Sequence, residues 1–275
     1  MPKIGMSSSA MIVCPWIDAL KTAAQHDFDA FEISCVFPSA DPENTPSEII
    51  DEARDIKEQT GMEICVHAPF FELNIAAYCQ SIREESIRII KKSIDLCAAL
   101  DGDVVIAHNG DFTYTLAAGA TKDNNPAMKI QWDYNIESLK RINDYANSKG
   151  ITVCLENIGF NASSIDRCYE DLLEIRRGVG NSLQFTFDMG HARLSQGAGK
   201  GIDLLGDGIR HIHLTDNNNE NDDHLPLGDG DYDYSEFTFF LNNFKYIITL
   251  EVIETSVDPK PVLRARDVLK KMLSA

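Results

Sequence analysis

The sequence predicts an α/β fold of the (β/α)8-barrel type. Eight short runs rich in Val, Ile and Phe recur near 3–7, 30–34, 62–67, 103–108, 151–157, 183–188, 209–215 and 246–252. Helix-like segments fill the gaps, and strict alternation of this kind closes a parallel barrel. The third observation is size. The chain has 275 residues, 44% of them hydrophobic, and barrels of roughly 250 residues form one domain, so residues 1–275 are read as a single domain. A doubly wound open sheet is the alternative, but eight strands are many for one open sheet.

The strand runs are short and continuous rather than alternating, as expected for parallel strands covered on both faces. Between the second and third, segment 46–60 opens Pro46-Ser47-Glu48 and stops at Gly61, a helix start and stop pair. Segment 81–100 places Ile82, Ile89, Ile90, Ile94, Leu96 and Leu100 among charges, the pattern of a helix with one face on a sheet. Segment 126–149 follows Asn125 with Pro126 and ends at Gly150. Segments 165–177 and 259–273 also read as helices, and Asp203 is placed as the cap of a short turn before the seventh strand. The loops after strands are the longer ones. The longest, 217–234, is rich in Asn, Asp and Gly, and in barrels such loops build the active site.

Charge narrows the function. Lys and Arg total 25 against 43 Asp and Glu, a net charge of −18, which on average repels a phosphate backbone and argues against salt-driven nucleic-acid binding. A local metal cluster reverses that field inside a cleft. The seven Cys are scattered with no C-x-x-C pair, the usage of a reducing compartment. Met1-Pro2-Lys3-Ile4-Gly5-Met6 lacks the layout of a signal peptide, and no apolar run reaches the roughly 18 residues of a membrane span. The expectation is a cytoplasmic protein without a membrane segment, its self-association left open.

Six of the runs end on metal-capable residues: Ile64-Cys65-Val66-His67, Val104-Val105-Ile106-Ala107-His108, Ile151-Thr152-Val153-Cys154-Leu155-Glu156, Phe185-Thr186-Phe187-Asp188, His211-Ile212-His213 and Ile247-Ile248-Thr249-Leu250-Glu251. One such residue would serve as a strand-end polar group. Six in succession describe a ring of ligands at one barrel mouth. Glu156, Asp188, His213 and Glu251 end strands five to eight, and three carboxylates with one imidazole suit a divalent cation with positions left open. His67 and His108 end the neighbouring strands and point at the same mouth. His191, in Asp188-Met189-Gly190-His191, and Asp222 and His224 on the long loop form a further group, for a second cation or a polar substrate. The cations expected are zinc, manganese, magnesium or cobalt. Phe70, Phe71 and Trp16 are candidates for a pocket wall. Gly228 and Gly230 allow a tight turn or close approach to a ligand, although no P-loop Lys follows. There is no G-x-S-x-G elbow, dinucleotide fingerprint or H-E-x-x-H helix.

On His67-Ala68-Pro69, Leu155-Glu156-Asn157, Asp188-Met189-Gly190-His191, His211-Ile212-His213, Asp222-Asp223-His224 and Leu250-Glu251-Val252, the chain resembles the xylose-isomerase-like TIM barrels, from about residue 3 to 255. That superfamily holds sugar isomerases and epimerases as well as AP endonucleases of the endonuclease IV type. The nuclease resemblance implies three zinc ions: one on His67, His108 and Glu156, a second on Glu156, Asp188, His213 and Glu251, a third on His191, Asp222 and His224. The isomerase resemblance implies one divalent metal on Glu156, Asp188, His213 and Glu251. There, Glu156 and Glu251 move protons through an enediolate, and His191 contacts substrate oxygens beside a wall containing Phe70.

The chain departs from the nuclease pattern. Met189-Gly190 stands where the nuclease has Thr-Cys, Leu214-Thr215-Asp216-Asn217 replaces its Asn-acidic-small-Lys run, and Phe70 replaces a usual Tyr. From the ketose epimerases it departs at Asn219, where they carry an Arg. The function expected is therefore a metal-dependent isomerase or epimerase acting on a sugar or sugar phosphate, with AP-site phosphodiester hydrolysis as the alternative.

Overall fold

A computed structural model of the chain describes residues 1–113, 119–159 and 161–274. Eight parallel strands close a barrel in chain order: β1 Lys3–Ser7, β2 Ala30–Ser34, β3 Glu63–His67, β4 Val104–Ala107, β5 Thr152–Glu156, β6 Gln184–Asp188, β7 Ile209–Leu214 and β8 Ile247–Leu250. Closure is made by β1 against β8, with Lys3 opposite Ile247 and Met6 opposite Leu250. The strands lie where the apolar runs predict them, shortened by a residue or two at the ends.

Alternation along each strand divides the core in two. Outward residues such as Phe31, Ile33, Val66, Val153, Phe185, Phe187 and Ile212 pack under the surrounding helices in one large buried cluster. Inward residues Ala30, Cys65, Val104, Ile106, Cys154 and Ile247 form a second, smaller cluster in the barrel interior. Nearer the C-terminal mouth the inward positions become polar: Glu32, His67, Glu156, Asp188, His211, His213 and Thr249 are all buried.

The helices among the described residues are α1 Trp16–Gln25, α2 Ser47–Thr60, α3 Gln80–Ala99, α4 Pro126–Ser148, α5 Tyr169–Val179, α6 Met189–Leu194, α7 Ala198–Leu205, α8 Thr238–Asn243 and α9 Lys260–Leu273. No described helix is long and apolar enough to cross a membrane. The start and stop signals of α2 and α4 act as read: Gly61 takes the left-handed conformation at φ 72°, and the Asn125 side chain caps α4 at Ala127 N.

Several elements differ from the sequence reading. The face of α3 that packs inward is Ile87, Ile90, Ile94 and Cys97, while Ile82 is 50% exposed. Helix α5 begins at Tyr169, not 165, because Asp166 is committed to the preceding loop, accepting from Ile158 N, Ser164 Oγ and Asn109 Nδ2. Asp203 caps nothing. It lies inside α7, whose N-cap is Gly197 at φ 86°. Trp16 belongs to α1 and is buried in the core rather than walling a pocket.

Candidate metal centre

Each candidate ligand reaches the mouth for a local reason. The side chain of Asn157, just past β5, pairs reciprocally with the backbone of Asp188, donating to its carbonyl at 3.0 Å and accepting from its N–H at 2.8 Å. That fixes the ends of β5 and β6 side by side. Asp188 then caps α6, with Oδ1 accepting from His191 N at 2.7 Å, so a short helix returns His191 to the mouth. Gly190 lets this helix sit on β7, since a Cβ there would stand 2.6 Å from Thr215 Oγ1.

The focus is His213 Nδ1. Glu251 Oε2 lies 3.1 Å from it, Glu156 Oε1 3.2 Å and Asp188 Oδ2 3.8 Å. A single ring N–H cannot satisfy three carboxylates, and buried Glu251 Oε2 and Asp188 Oδ2 have no hydrogen-bond partner. Anionic oxygens converging on one imidazole nitrogen in a buried pocket fit a divalent cation, which would neutralise the carboxylates and take the imidazole lone pair. These four residues bring ligand atoms within 4.8 Å of one another.

Two further groups adjoin this one. Glu156 Oε2 faces His67 Nε2 at 3.1 Å and His108 Nε2 at 3.0 Å, so Glu156 sits between two clusters. Asp222 Oδ2 faces His191 Nε2 at 3.1 Å and His224 Nε2 at 3.0 Å, with Asp222 Oδ1 buried and unpartnered. The fold thus brings together all nine residues read as candidate ligands, in the same three groups. In His67, His191 and His224, Nδ1 donates to a backbone carbonyl (of Ala68, Asn157 and Glu251, at 2.8, 3.0 and 3.0 Å), which turns the Nε2 lone pair toward the cluster. His213 is reversed: its Nε2 meets Glu32 Oε2 at 3.1 Å and its Nδ1 faces the carboxylates.

The charges are strongly coupled to burial. Burial pushes the Glu156 carboxyl up, but His213 and His108 outweigh it and hold it well below the usual range. Burial dominates at Asp188, pushed up to about 6 against the pull of His191. Burial disfavours the cationic imidazoles, yet His213 is raised well above its usual value by Glu251, Glu32 and Glu156, and His191 by Asp188 and Asp222. His224 rises to about 9, burial being overcome by its hydrogen bond to Asp222 and the charge of Glu251.

Above these groups opens a cavity of about 540 Å³, lined by His67, His108, Glu156, His191, Asp222, His224 and Glu251 below and by Ile12, Val36, Phe70, Phe71, Leu73 and Ile253 around its sides. Phe70 stacks on the His108 ring at 4.4 Å between centroids. The floor of the loop after β4 is tight, because a Cβ on Gly110 would lie 2.6 Å from Ala76 N and from Asn74 Oδ1. Gly110→Ala is therefore expected to cost about 1–3 kcal/mol by overpacking, read as a lower denaturant midpoint at unchanged slope. Of the two readings of Gly228 and Gly230, a tight turn or close approach to a ligand, the structure has the turn, with Gly228 at φ 90°. The Asp216 carboxylate accepts from Asn217 N, Gly228 N and Tyr232 N at 2.9, 2.9 and 3.1 Å, and a Cβ on Gly230 would stand 2.4 Å from Asp216 Oδ1.

Glu32, Asn157 and Asp166 were not identified as part of the site from sequence. Glu32 had a readable signal, as the one charge inside the apolar run Ala30-Phe31-Glu32-Ile33-Ser34, on the inward side of a strand.

Comparison with known proteins agrees with the architecture. An uncharacterized protein of Methanocaldococcus jannaschii, MJ1311, is 28% identical over 98% of this chain and 89% of its own length. The fructoselysine 3-epimerase of Shigella flexneri is 22% identical over 98% of this chain and 96% of that enzyme. Among solved structures, a D-tagatose 3-epimerase-like protein superposes with a TM-score of 0.83 at 26% identity, covering 99% of this chain and 97% of that one. Residues 20–272 match the model of one family along almost the whole barrel, and on that match the chain belongs to the xylose isomerase-like TIM barrels.

Proposed function

We propose that this protein is a divalent-metal-dependent epimerase that inverts the carbon next to the carbonyl of a ketose. The observation that carries the reading is the pair Glu156 and Glu251, whose oxygens face one imidazole nitrogen, at 3.2 and 3.1 Å, from strand ends on different sides of the mouth. Similarity to proteins named as 3-epimerases supports it. Glu156, Asp188, His213 and Glu251 would hold the cation, which when bound supplies Lewis-acid polarisation of the ketose carbonyl and neighbouring hydroxyl. One of Glu156 and Glu251 takes the proton from the carbon, leaving the substrate as its enediolate. The other returns a proton to the opposite face, so configuration inverts with no net oxidation. His191 hydrogen-bonds substrate oxygens, and Phe70 and its apolar neighbours exclude water from the enediolate. The test is the metal-loaded protein with a panel of ketoses in deuterated water. The reading expects deuterium at C3 together with the C3 epimer, and a protein that turned over a ketose without solvent exchange would contradict it.

The substrate is expected to enter without a phosphate. Among the described residues no Lys or Arg lines the cavity, while Glu72 and Asp111 do. None of the residues at 114–118 or 160 is basic either. The Gly228 amide, with those of Asn217 and Tyr232, donates to Asp216 and is not open to an anion. Placing a phosphate against carboxylates costs several kcal/mol, so kcat/KM for a free ketose should exceed that for its terminal phosphate by about 100-fold or more, at roughly 1.4 kcal/mol per tenfold. Parity between the two would refute this preference. The assembly of all nine candidate ligands favours a second reading, phosphodiester hydrolysis. Cleavage of abasic duplex DNA by the zinc-loaded protein would establish it over the first.

A further inference from the structure

Below the candidate ligands the barrel contains a charge that the proposed chemistry does not use. Glu32 on β2 is 0% exposed, at a level where barrel interiors are usually filled by branched apolar side chains. A carboxylate buried to that degree is costly unless it is engaged, and here the engagement runs through one oxygen, Oε1 being buried without a hydrogen-bond partner. Its Oε2 accepts from His213 Nε2 at 3.1 Å and from His211 Nε2 at 2.9 Å, and His211 Nε2 also lies 2.9 Å from Thr249 Oγ1. The carboxylate therefore faces the back of the imidazole whose front, Nδ1, meets Glu156, Asp188 and Glu251. A neutral imidazole carries one N–H, and a partner that accepts from Nε2 leaves Nδ1 as the lone-pair nitrogen. The alternation of β7 makes this possible: His211 and His213, two residues apart, both point inward, with His211 closer to the bottom of the barrel. His211 holds the carboxylate from the side opposite the mouth.

We infer that Glu32 is a positioning residue that holds His213 in the Nε2–H tautomer and aims Nδ1 at the cation site. This goes beyond the proposed reaction and rests on that reading only in taking His213 as a ligand. A carboxylate behind a ligating imidazole raises its basicity and fixes its ring, and loss of such a partner typically costs about 10–100-fold in metal affinity. The chain shows the alternative on its other imidazoles: His67, His191 and His224 are oriented by backbone carbonyls. His213 differs from these three in meeting a carboxylate, Glu32, rather than a backbone carbonyl on the side away from its cluster.

The test uses the full chain, cobalt(II) as the probe ion, and competition with a chelator. Glu32→Gln should weaken cobalt affinity about 10–100-fold and alter the visible absorption of the bound ion. Val104→Ala, which opens space in the apolar layer of the barrel interior, should lower stability yet leave affinity within twofold. Glu32→Gln binding cobalt as tightly as the parent would overturn the inference, as would an equal loss in Val104→Ala. A second reading, independent of whether Glu32→Gln folds, comes from the parent labelled with 15N-histidine and loaded with zinc. The expected pattern for His213 is a protonated Nε2 and a metal-shifted Nδ1, and the reverse pattern would overturn the proposal. A parent that bound neither ion would fail the metal reading itself, whereas a Glu32-specific failure would leave that reading standing.

Discussion

Glu251→Gln should lower kcat by about 10²–10⁴-fold, the usual worth of a positioned acid–base group, and should abolish exchange of the C3 proton with solvent. Glu156→Gln should do the same, but the two variants should differ in metal content. Glu251 Oε2 faces one candidate ligand closely, His213, with His224 Nδ1 further off at 3.7 Å. Glu156 faces His67 and His108 with one oxygen and His213 and His191 with the other. Its loss therefore removes a carboxylate from two groups at once and leaves several buried imidazoles without their anion. Glu156→Gln should retain less metal than Glu251→Gln, as measured by elemental analysis after gel filtration. Single-turnover deuterium exchange in metal-saturated protein then isolates the chemical role. Exchange above a tenth of the parent rate in both variants would remove these residues from the proton-transfer step.

What could be read from sequence and what could not follows from the same physics. The strands were legible because each is a short β-branched run covered on both faces, and their polar ends stood out against that background. Convergence of His67, His108, Glu156, Asp188, His213 and Glu251 on one mouth then followed from barrel closure, since parallel strands in chain order end on the same rim. Helix α1 carries a short legible stripe at Trp16, Ile17 and Leu20, which Ala19 and Ala23 are too small to extend. Helix α7 was hidden by Gly197, Gly199 and Gly201, residues that propensity assigns to loops. Gly201 sits there because a Cβ would stand 2.4 Å from the Phe187 ring, a tertiary requirement that outweighs local preference. The start of α5 depended on Asp166, whose three partners lie in two different loops. Glu32 is harder to read for another reason: it lies in the middle of a strand and not at its end. The supporting polar layer of a site occupies inward positions below the strand ends.

Removal of the metal should lower the melting temperature, and the loss should grow with pH. Saturation at about 100 times Kd stabilises the folded state by about 2.7 kcal/mol, which for a chain of this size corresponds to roughly 5–10 °C. The pH dependence follows from the cation-free protein. His224 is raised to about 9, and His191 and His213 are also raised. Groups with a raised folded pKa contribute stability that is complete below their unfolded value and is lost as pH rises through the folded one, so this contribution fades from about 6.5 upward. Asp188, raised to about 6, acts in the same direction at lower pH. The depressed carboxyls of Glu156 and Asp222 act oppositely, but only below the ordinary carboxylate range. Cation binding displaces the proton from His213 Nδ1, so affinity rises up to tenfold per pH unit for that proton. The cation-free protein thus weakens over the same interval in which the loaded protein gains. Calorimetric scans with and without chelator at about pH 6, 7.5 and 9 should show a widening gap, because the contribution of the raised imidazoles begins to fade above about 6.5. A gap independent of pH would mean that His213 does not meet the cation.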